Sequence, residues 1–319
     1  MGNLTGLKIR WRLHGDEIEP TTRQRGCNVY RELQRQGYDA DAWDLKEPAD
    51  IIILQYSMRL LDEALATGAT VVADINDQVF AAHHPYHKET LAGLPKVQAV
   101  VAGSPRLGQC LQRLHPFVRM IEEGVAKQYF EVERKRHEGT NILWAGMHDN
   151  LIYFDEIDAV LEELSTIHKF TIHFVCPALD GQKKSNADKV KKKPYNGVFH
   201  EWTMDTLLEQ MALADFAVIP LFQNFWAWCK SANKSLSFMA AGLPVVAADV
   251  PSYRAVIKQG VDSFLAYYEK DWRDALVMLL TNPKLRSTMG KVARKTAQEY
   301  SIEKIALQWV EFFREVRPR

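Results

Sequence analysis

Short apolar runs alternate with helical patterns along the whole of this 319-residue chain. In the first half, the candidate strands are residues 7–13, 51–54, 70–73, 99–102 and 118–121. Each run is short and rich in Val, Ile or Leu, a composition typical of strands that are buried on both faces. Buried strands that alternate with helices predict an α/β fold with mostly parallel sheets.

The first helix is expected to follow a loop at Gly15 and to end at Gly37. Thr21 or Thr22 can cap its first turn, because a hydroxyl oxygen accepts hydrogen bonds from free backbone N–H groups. The other predicted helices are residues 154–164, 204–213, 235–241, 271–280, 283–300 and 302–316. Strands are predicted between them at residues 142–145, 170–175, 198–200, 216–219 and 245–248.

A charged segment at residues 131–139 interrupts this rhythm and is the best candidate for a linker. The chain is too long for one ordinary core and suits two domains. The predicted organisation is a doubly wound, Rossmann-like domain at residues 1–130 and a second at 140–300, followed by a helix at 301–319. In such folds a ligand binds outside the carboxyl ends of the strands.

The composition indicates a protein of the cytoplasm with no nucleic-acid partner. Forty basic residues balance forty acidic ones, so the net charge favours neither nucleic acid nor an acidic partner. The four cysteines are scattered without a Cys-x-x-Cys pair, which favours reduced thiols over disulfides or zinc. No apolar run approaches about 18 residues, and the beginning of the chain lacks the layout of a signal peptide.

The most informative single segment is KSANKSLSFMAAGLPVVA, at residues 230–247. It predicts a loop, a short helix that ends at Gly242, and a buried strand after Pro244. Lys230 and Lys234 stand at the helix entrance, where free N–H groups and the helix dipole favour an anion. Two ammonium groups there suit a diphosphate, although a solvated helix start explains the same residue types.

This segment resembles the donor-binding segment of retaining glycosyltransferases of the GT-B fold, the family 4 group. Looser similarities to that family lie at residues 68–77, 100–107, 123–125, 215–220 and 272–300. The resemblance implies two Rossmann-like domains facing a cleft, with the helix at 301–319 packing back toward the first domain. It also implies transfer of a sugar, with retention, from a nucleotide-diphospho-sugar to a glycan, lipid or small-molecule acceptor in glycoconjugate biosynthesis.

Two positions depart from the family pattern. The family carries two glutamates eight positions apart, the first near the donor sugar and the second at the ribose; this chain has Cys229 and Ser237 there. A serine hydroxyl lacks the charge-assisted grip of a carboxylate, a loss of about 1.5–3 kcal/mol. The departure motivates an alternative: a catalytically silent GT-B protein that binds a partner, a glycan or a lipid.

The resemblance also implies a set of site residues. The expected catalytic residues are Lys230, Lys234 and Asp77; the donor-binding residues are Gly146, His148, Asn233, Ser237 and Pro220; the acceptor-side residues are Gly15, Arg23, Arg25, Asp74 and His84. The lysines would neutralise the leaving diphosphate without a metal, and no cofactor is expected, because the nucleotide-sugar is a substrate.

Most of these residues have a plainer interpretation beside the functional one. Asp74 and Asp77 follow a buried strand, where turn chemistry also favours Asp. Gly146 suits an ordinary turn and His148 a solvated loop, while Arg23 and Arg25 suit a surface helix start. The histidines at positions 83, 84 and 87 are close in sequence, but Pro85 interrupts any helix that could aim two rings at one metal ion.

Two further clusters are ambiguous. A basic run contains Lys183, Lys184, Lys189, Lys191, Lys192 and Lys193. It is typical of a mobile solvated loop, although contact with the anionic head groups of a membrane is possible. An aromatic cluster consists of Phe222, Phe225, Trp226 and Trp228. Packing in the core is favoured for it over a platform for a sugar or lipid.

Overall fold

The computed structural model describes residues 6–177 and 183–317. These residues form two compact units. Unit 1 consists of residues 6–126, 228–233 and 300–317, and unit 2 consists of residues 127–177, 183–227 and 234–299. Each unit is built on its own six-stranded parallel sheet.

The sheet of unit 1 has the strand order β2-β1-β3-β4-β5-β6, and every neighbouring pair is parallel. Its strands are β1 (Lys8–Arg12), β2 (Asp39–Ala42), β3 (Ile51–Gln55), β4 (Thr70–Ile75), β5 (Ala99–Ala102) and β6 (Val118–Met120). The order reverses between β1 and β3, since β2 lies on one side of β1 and all later strands lie on the other. A reversal of this kind opens a crevice beyond the carboxyl ends of the two strands.

The sheet of unit 2 has the strand order β12-β11-β10-β7-β8-β9 and is also parallel throughout. Its strands are β7 (Asn141–Ala145), β8 (Thr171–Cys176), β9 (Gly197–Glu201), β10 (Phe216–Ile219), β11 (Val245–Ala248) and β12 (Phe264–Ala266). The reversal here lies between β7 and β10. The two doubly wound sheets confirm the predicted fold class.

Helices connect the strands in both units. In chain order they are α1 (Asn28–Arg35), α2 (Leu61–Ala66), α3 (His87–Gly93), α4 (Pro105–Leu111), α5 (Lys127–Phe130), α6 (Asp158–Ile167), α7 (Lys183–Lys191), α8 (Met204–Leu213), α9 (Phe225–Trp228), α10 (Asn233–Ala240), α11 (Pro251–Val256), α12 (Glu269–Thr281), α13 (Pro283–Ala297) and α14 (Ile302–Val316). Among the described residues, none of these helices combines the length and the apolar character needed to cross a membrane.

Helix α14 completes the core of unit 1. Its apolar residues recur at helical spacing and join a buried cluster that includes Ile9 and Trp11 of β1. The ring of Trp11 lies 5.8 Å from that of Trp309 and 5.8 Å from that of Phe313, both in edge-to-face geometry. Truncation of such a buried aromatic residue to alanine typically costs about 3–5 kcal/mol, so α14 is a structural part of this unit.

One predicted helix cap and one predicted helix start were wrong. The first helical segment begins as a π-helix (Thr22–Cys27) that leads into α1, and Thr21 makes no side-chain cap. The hydroxyl of Thr22 instead accepts a hydrogen bond of 3.1 Å from the backbone N–H of Gly15. The helix predicted at 154–164 is a 3-10 helix (His148–Glu156) followed by α6. Ile157 separates the two because its φ of −130° is not helical.

The basic run also differs from the expected loop. Residues 183–191 form α7, so the backbone there is regular. Lys189, Lys191 and Lys192 are exposed, whereas Lys193 is partly buried and pairs with Asp158. The side chains of Lys183 and Lys184 lie outside the described residues.

Candidate functional site

In unit 2 the candidate site lies at the strand reversal. Gly146 directly follows β7, and the buried Pro220 directly follows β10. These strands are hydrogen-bonded neighbours whose connections leave in opposite directions. Their carboxyl ends therefore flank the crevice where ligands of doubly wound sheets bind.

A lysine lies directly against the glycine at this crevice. A Cβ atom built on Gly146 would lie 2.8 Å from Nζ of Lys234 and 2.8 Å from the ring of Trp144. Nζ of Lys234 is also 5.8 Å from the centroid of the Trp144 ring, within the range of a cation–π contact. Only glycine allows the ammonium group to approach the backbone so closely. The arrangement places a cation at the crevice, which suits a phosphate.

His148 opens the 3-10 helix that follows Gly146. Its side chain is 9% exposed, and its Nε2 lies 2.9 Å from a carboxylate oxygen of Asp149. Its other ring nitrogen, Nδ1, is buried and makes no hydrogen bond to any residue that the structure describes. A buried polar atom without a protein partner is unusual and has capacity for a ligand contact.

Helix α10 carries the remaining donor-side candidates. Asn233 is its first residue, Lys234 its second, and Ser237 lies one turn later with 6% exposure. Gly242 follows the helix with a φ of +76°, a conformation that favours glycine at a helix end. Four of the five donor-binding candidates, together with Lys234, belong to unit 2, whereas Asn233 is grouped with unit 1.

In unit 1 a cluster of aromatic side chains lies at the strand reversal. His14 and Gly15 follow β1, and Tyr56 follows β3 with a φ of +68°. The rings of His14 and Tyr56 lie 4.3 Å apart, and the hydroxyl of Tyr56 lies 3.3 Å from Nε2 of His84. Burial lowers the pKa of His14 and that of His84, so both imidazoles are neutral at pH 7. The neutral ring of His14 can donate to or accept from an acceptor hydroxyl, whereas both ring nitrogens of His84 already have protein partners, Tyr56 and the backbone N–H of Tyr86.

Arg25 and Asp74 bind each other in the interior of unit 1. Nη2 of Arg25 donates to Oδ1 of Asp74 at 2.6 Å, and the two side chains are 1% and 0% exposed. Nη1 of Arg25 donates to the carbonyl of Ile121 at 2.9 Å. Neither charged group is open to an acceptor in this arrangement. Arg23 donates instead to the carbonyls of Glu17 and Ile18, at 2.7 and 3.0 Å.

Lys230 and Asp77 meet in unit 1, with Nζ 3.6 Å from a carboxylate oxygen. The neighbouring Cys229 is buried in an apolar cluster, and burial, together with Cys110, raises the pKa of its thiol to about 12. No charged group therefore stands at the position where the family resemblance expects the first glutamate.

Sequence reasoning missed two buried acids, Glu122 and Glu123, which follow β6. Their side chains are 6% and 5% exposed. Burial, and then the charge of Glu123, raises the pKa of Glu122 to about 7. The available signal was the acidic residue at position 123, the first residue of the segment 123–125 that resembles the family. Among the described residues, no group of three or more His, Cys, Asp and Glu side chains could hold a metal ion.

The aromatic cluster expected in the core is not buried. Phe225 is exposed, and Phe222, Trp226 and Trp228 are all partly exposed. Phe222 packs edge-to-face on Tyr153, with ring centroids 5.0 Å apart. The interpretation of these four residues as core was wrong, because the segment lies on a surface of the fold.

The part of the chain with the unit 2 site matches a known family, and the whole chain matches known structures. Residues 139–282 match the family described as Glycosyl transferases group 1. A glycosyltransferase from Rickettsia africae is 14% identical, with a TM-score of 0.76 over 98% of this chain and 99% of its own. Anabaena Alr3699/HepE, in complex with UDP and glucose, is 12% identical, with a TM-score of 0.75 over 97% of this chain and 99% of its own. The fold is GT-B.

A third GT-B structure, sucrose-phosphate synthase from Thermosynechococcus elongatus, is 14% identical, with a TM-score of 0.72 over 96% of this chain and 98% of its own. At such identities the similarity shows the fold alone. The sequence has no match among curated proteins. The region matched by the family contains Gly146, His148, Pro220, Lys234 and Ser237, so the family match and the candidate donor site cover the same part of the GT-B chain.

Proposed function

We propose that this protein is a glycosyltransferase that uses a nucleotide-diphospho-sugar donor. The observation that carries the proposal is the contact of Lys234 with the Gly146 backbone at the strand reversal of unit 2. The family match over residues 139–282 supports it, since that region includes both residues. The donor diphosphate would lie against the ammonium group of Lys234.

The proposed chemistry is electrostatic. When the bond from the sugar to the diphosphate breaks, negative charge develops on the leaving oxygen, and a fixed cation stabilises that charge more in the transition state than before it. Lys234 supplies this cation in our proposal, and Nδ1 of His148 offers a further polar contact. Because Anabaena Alr3699/HepE was crystallised with UDP and glucose, UDP-glucose is the first donor to test. We propose transfer with retention, which NMR of the product's anomeric proton would check.

Unit 1 would bind the acceptor in this proposal. The supporting observation is the group formed by His14, Tyr56 and His84 at the other strand reversal, which combines aromatic faces with neutral hydrogen-bonding groups. The buried Arg25–Asp74 pair has a structural role instead, because its charges satisfy each other.

Donor binding tests the proposal directly. A donor at a hundredfold its dissociation constant stabilises the folded protein by about 2.7 kcal/mol, so thermal shifts should identify it among UDP-, GDP-, dTDP- and ADP-sugars. Lys234→Ala should weaken binding about 10- to 150-fold, the effect of losing a charge-assisted contact of about 1.5–3 kcal/mol. Lys284→Ala, which removes an exposed lysine of the same unit, is the matched control. Equal dissociation constants for Lys234→Ala and the wild type would refute the proposed donor site.

A second candidate function is a catalytically silent GT-B protein that binds a glycan or a lipid. The observation that favours it is the uncharged, buried Cys229 together with the buried Ser237. Ser237→Glu distinguishes the two functions. A gain in nucleotide affinity would mean that the site lacks only a ribose contact and favours the enzyme. No binding of any nucleotide-sugar by either protein would favour the silent form.

A further inference from the structure

The segment Trp228–Asn233 is anchored to unit 1 at several consecutive residues. The hydroxyl of Ser104 donates to the carbonyl of Cys229 at 2.7 Å, and the Cys229 side chain joins the apolar cluster of this unit. Lys230 pairs with Asp77 at 3.6 Å. The segment is therefore held in place on both sides of the Lys230 side chain.

Two carboxylates complete this anchorage. The backbone N–H of Ala232 donates to a carboxylate oxygen of Glu122 at 3.3 Å. The side chain of Ser231 hydrogen-bonds to Glu123, which also receives a hydrogen bond from Asn76. Acids that are about 95% buried are rare in proteins unless a specific contact retains them. Here the contacts that retain the two acids come from Ser231 and Ala232, which are consecutive residues of one segment.

We propose that Glu122 and Glu123 are positioning residues, which hold the Trp228–Asn233 segment on unit 1 and so place the ammonium group of Lys230 beside Asp77. This inference depends on the proposed function in one respect only, which is that Lys230 takes part in the transfer reaction. The anchorage itself is a property of unit 1.

The charges around the two acids give this anchorage a pH dependence. Glu122 faces Glu123 and Arg25, and Arg25 is already bound to Asp74. If both glutamates ionise, three buried carboxylates share one guanidinium, so the folded arrangement favours a protonated Glu122. Its pKa is raised from the ordinary 4.5 to about 7. Stability that is present below pH 4.5 is lost as the pH rises to 7, and little changes above that.

Hydrogen exchange of the full chain, corrected for the intrinsic rate at each pH, tests the anchorage. Opening of the segment exposes Glu122 to water. We therefore expect hydrogen exchange of the amides in the Trp228–Asn233 segment to accelerate by about 50- to 100-fold between pH 5 and pH 8. Glu122→Gln keeps an acceptor for the Ala232 N–H but does not titrate. It should keep the segment protected and remove the pH dependence. Glu63→Gln changes an exposed glutamate of the same unit and should behave as the wild type.

The outcomes separate this inference from the proposed function, because exchange requires no donor. Exchange of the segment that is independent of pH in the wild type would overturn the proposal, and that result does not depend on any variant folding. The same pH dependence in Glu122→Gln as in the wild type would also overturn it. Glu123→Gln should retain the Ser231 contact, whereas Glu123→Ala should accelerate exchange in the segment at every pH. Equal protection in these two variants would remove Glu123 from the proposal.

Discussion

Both units are built on a doubly wound parallel sheet, although their strand orders differ, and their carboxyl edges differ in charge. In unit 1 the two acids at the carboxyl end of β4 are bound by protein partners: Asp74, within the strand, binds Arg25, and Asp77, just beyond it, binds Lys230. In unit 2 the residues that directly follow the two reversing strands, Gly146 and Pro220, carry no charge, and a lysine lies against the first of them. The cations at the edge of unit 1 face carboxylates, which lowers the attraction of that edge for a phosphate. This difference in charge supports the proposed division between a donor edge and an acceptor edge.

The largest effect should come from breaking the buried ion pair of unit 1. Asp74→Ala removes the carboxylate that Arg25 hydrogen-bonds in the interior, and breaking such a buried pair costs about 3–5 kcal/mol of unfolding free energy. Urea denaturation measures this loss. Glu17→Gln, which removes the partner of Arg31 at an exposed ion pair, should cost at most about 1 kcal/mol. Similar losses of unfolding free energy in both variants would show that the buried pair stabilises the fold no more than the exposed pair does.

A smaller effect should follow from filling the edge of unit 2. In Gly146→Ala the new methyl group lies 2.8 Å from both Lys234 and the Trp144 ring, so both neighbours must move away from it. Overpacking of this kind costs about 1–3 kcal/mol, and the displaced ammonium group should weaken donor binding.

The control for this prediction is Gly108→Ala in helix α4, where the added methyl group has only an ordinary contact of 3.7 Å. It should leave stability unchanged or raise it by up to about 1 kcal/mol. Calorimetric titration with the donor and thermal unfolding measure both variants. Unchanged donor affinity in Gly146→Ala would contradict the close approach described for Lys234.

The smallest effect should follow from lowering the pH, which should decrease the stability of unit 2 and increase that of unit 1. In unit 2, burial and then His200 lower the pKa of His173 to about 4, so the stability that this neutral ring contributes above pH 6.5 is lost as the pH falls toward 4. Discounted for its partial exposure, the loss is about 1 kcal/mol at pH 5. Hydrogen exchange of β8 at pH 7 and pH 5 measures it, and His173→Gln should remove the difference. Unit 1 should gain protection over the same range through Glu122.

Strands with apolar sequences could be predicted from the chain alone. The predicted strands at 216–219 and 245–248 coincide with β10 and β11, because a buried parallel strand must be apolar on both faces. Strand β2 was missed, since its sequence Asp-Ala-Asp-Ala has no such signal. Backbone pairing with β1 at the edge of the sheet holds it instead.

The candidate site was only partly predictable. Gly146 and Lys234 were chosen from a local pattern, and their contact in unit 2 depends on the fold of residues that are 88 positions apart, as their numbers 146 and 234 show. Arg25 and Asp74 were chosen as acceptor-side residues, but their pairing across 49 positions buries both charges. Sequence gives the residue types that a site can use, whereas long-range pairing decides which of them remain available.

The discontinuous make-up of unit 1 has a consequence for how the protein emerges from the ribosome. The cluster around Trp11 closes only when Trp309 and Phe313 of α14 are present, and nearly 300 residues separate the two sides of this contact in the sequence. The chain of unit 2 is complete by residue 299, before α14 has been synthesised. The first sheet to be translated is therefore the second to be finished, and its exposed apolar face must be shielded until the last helix arrives.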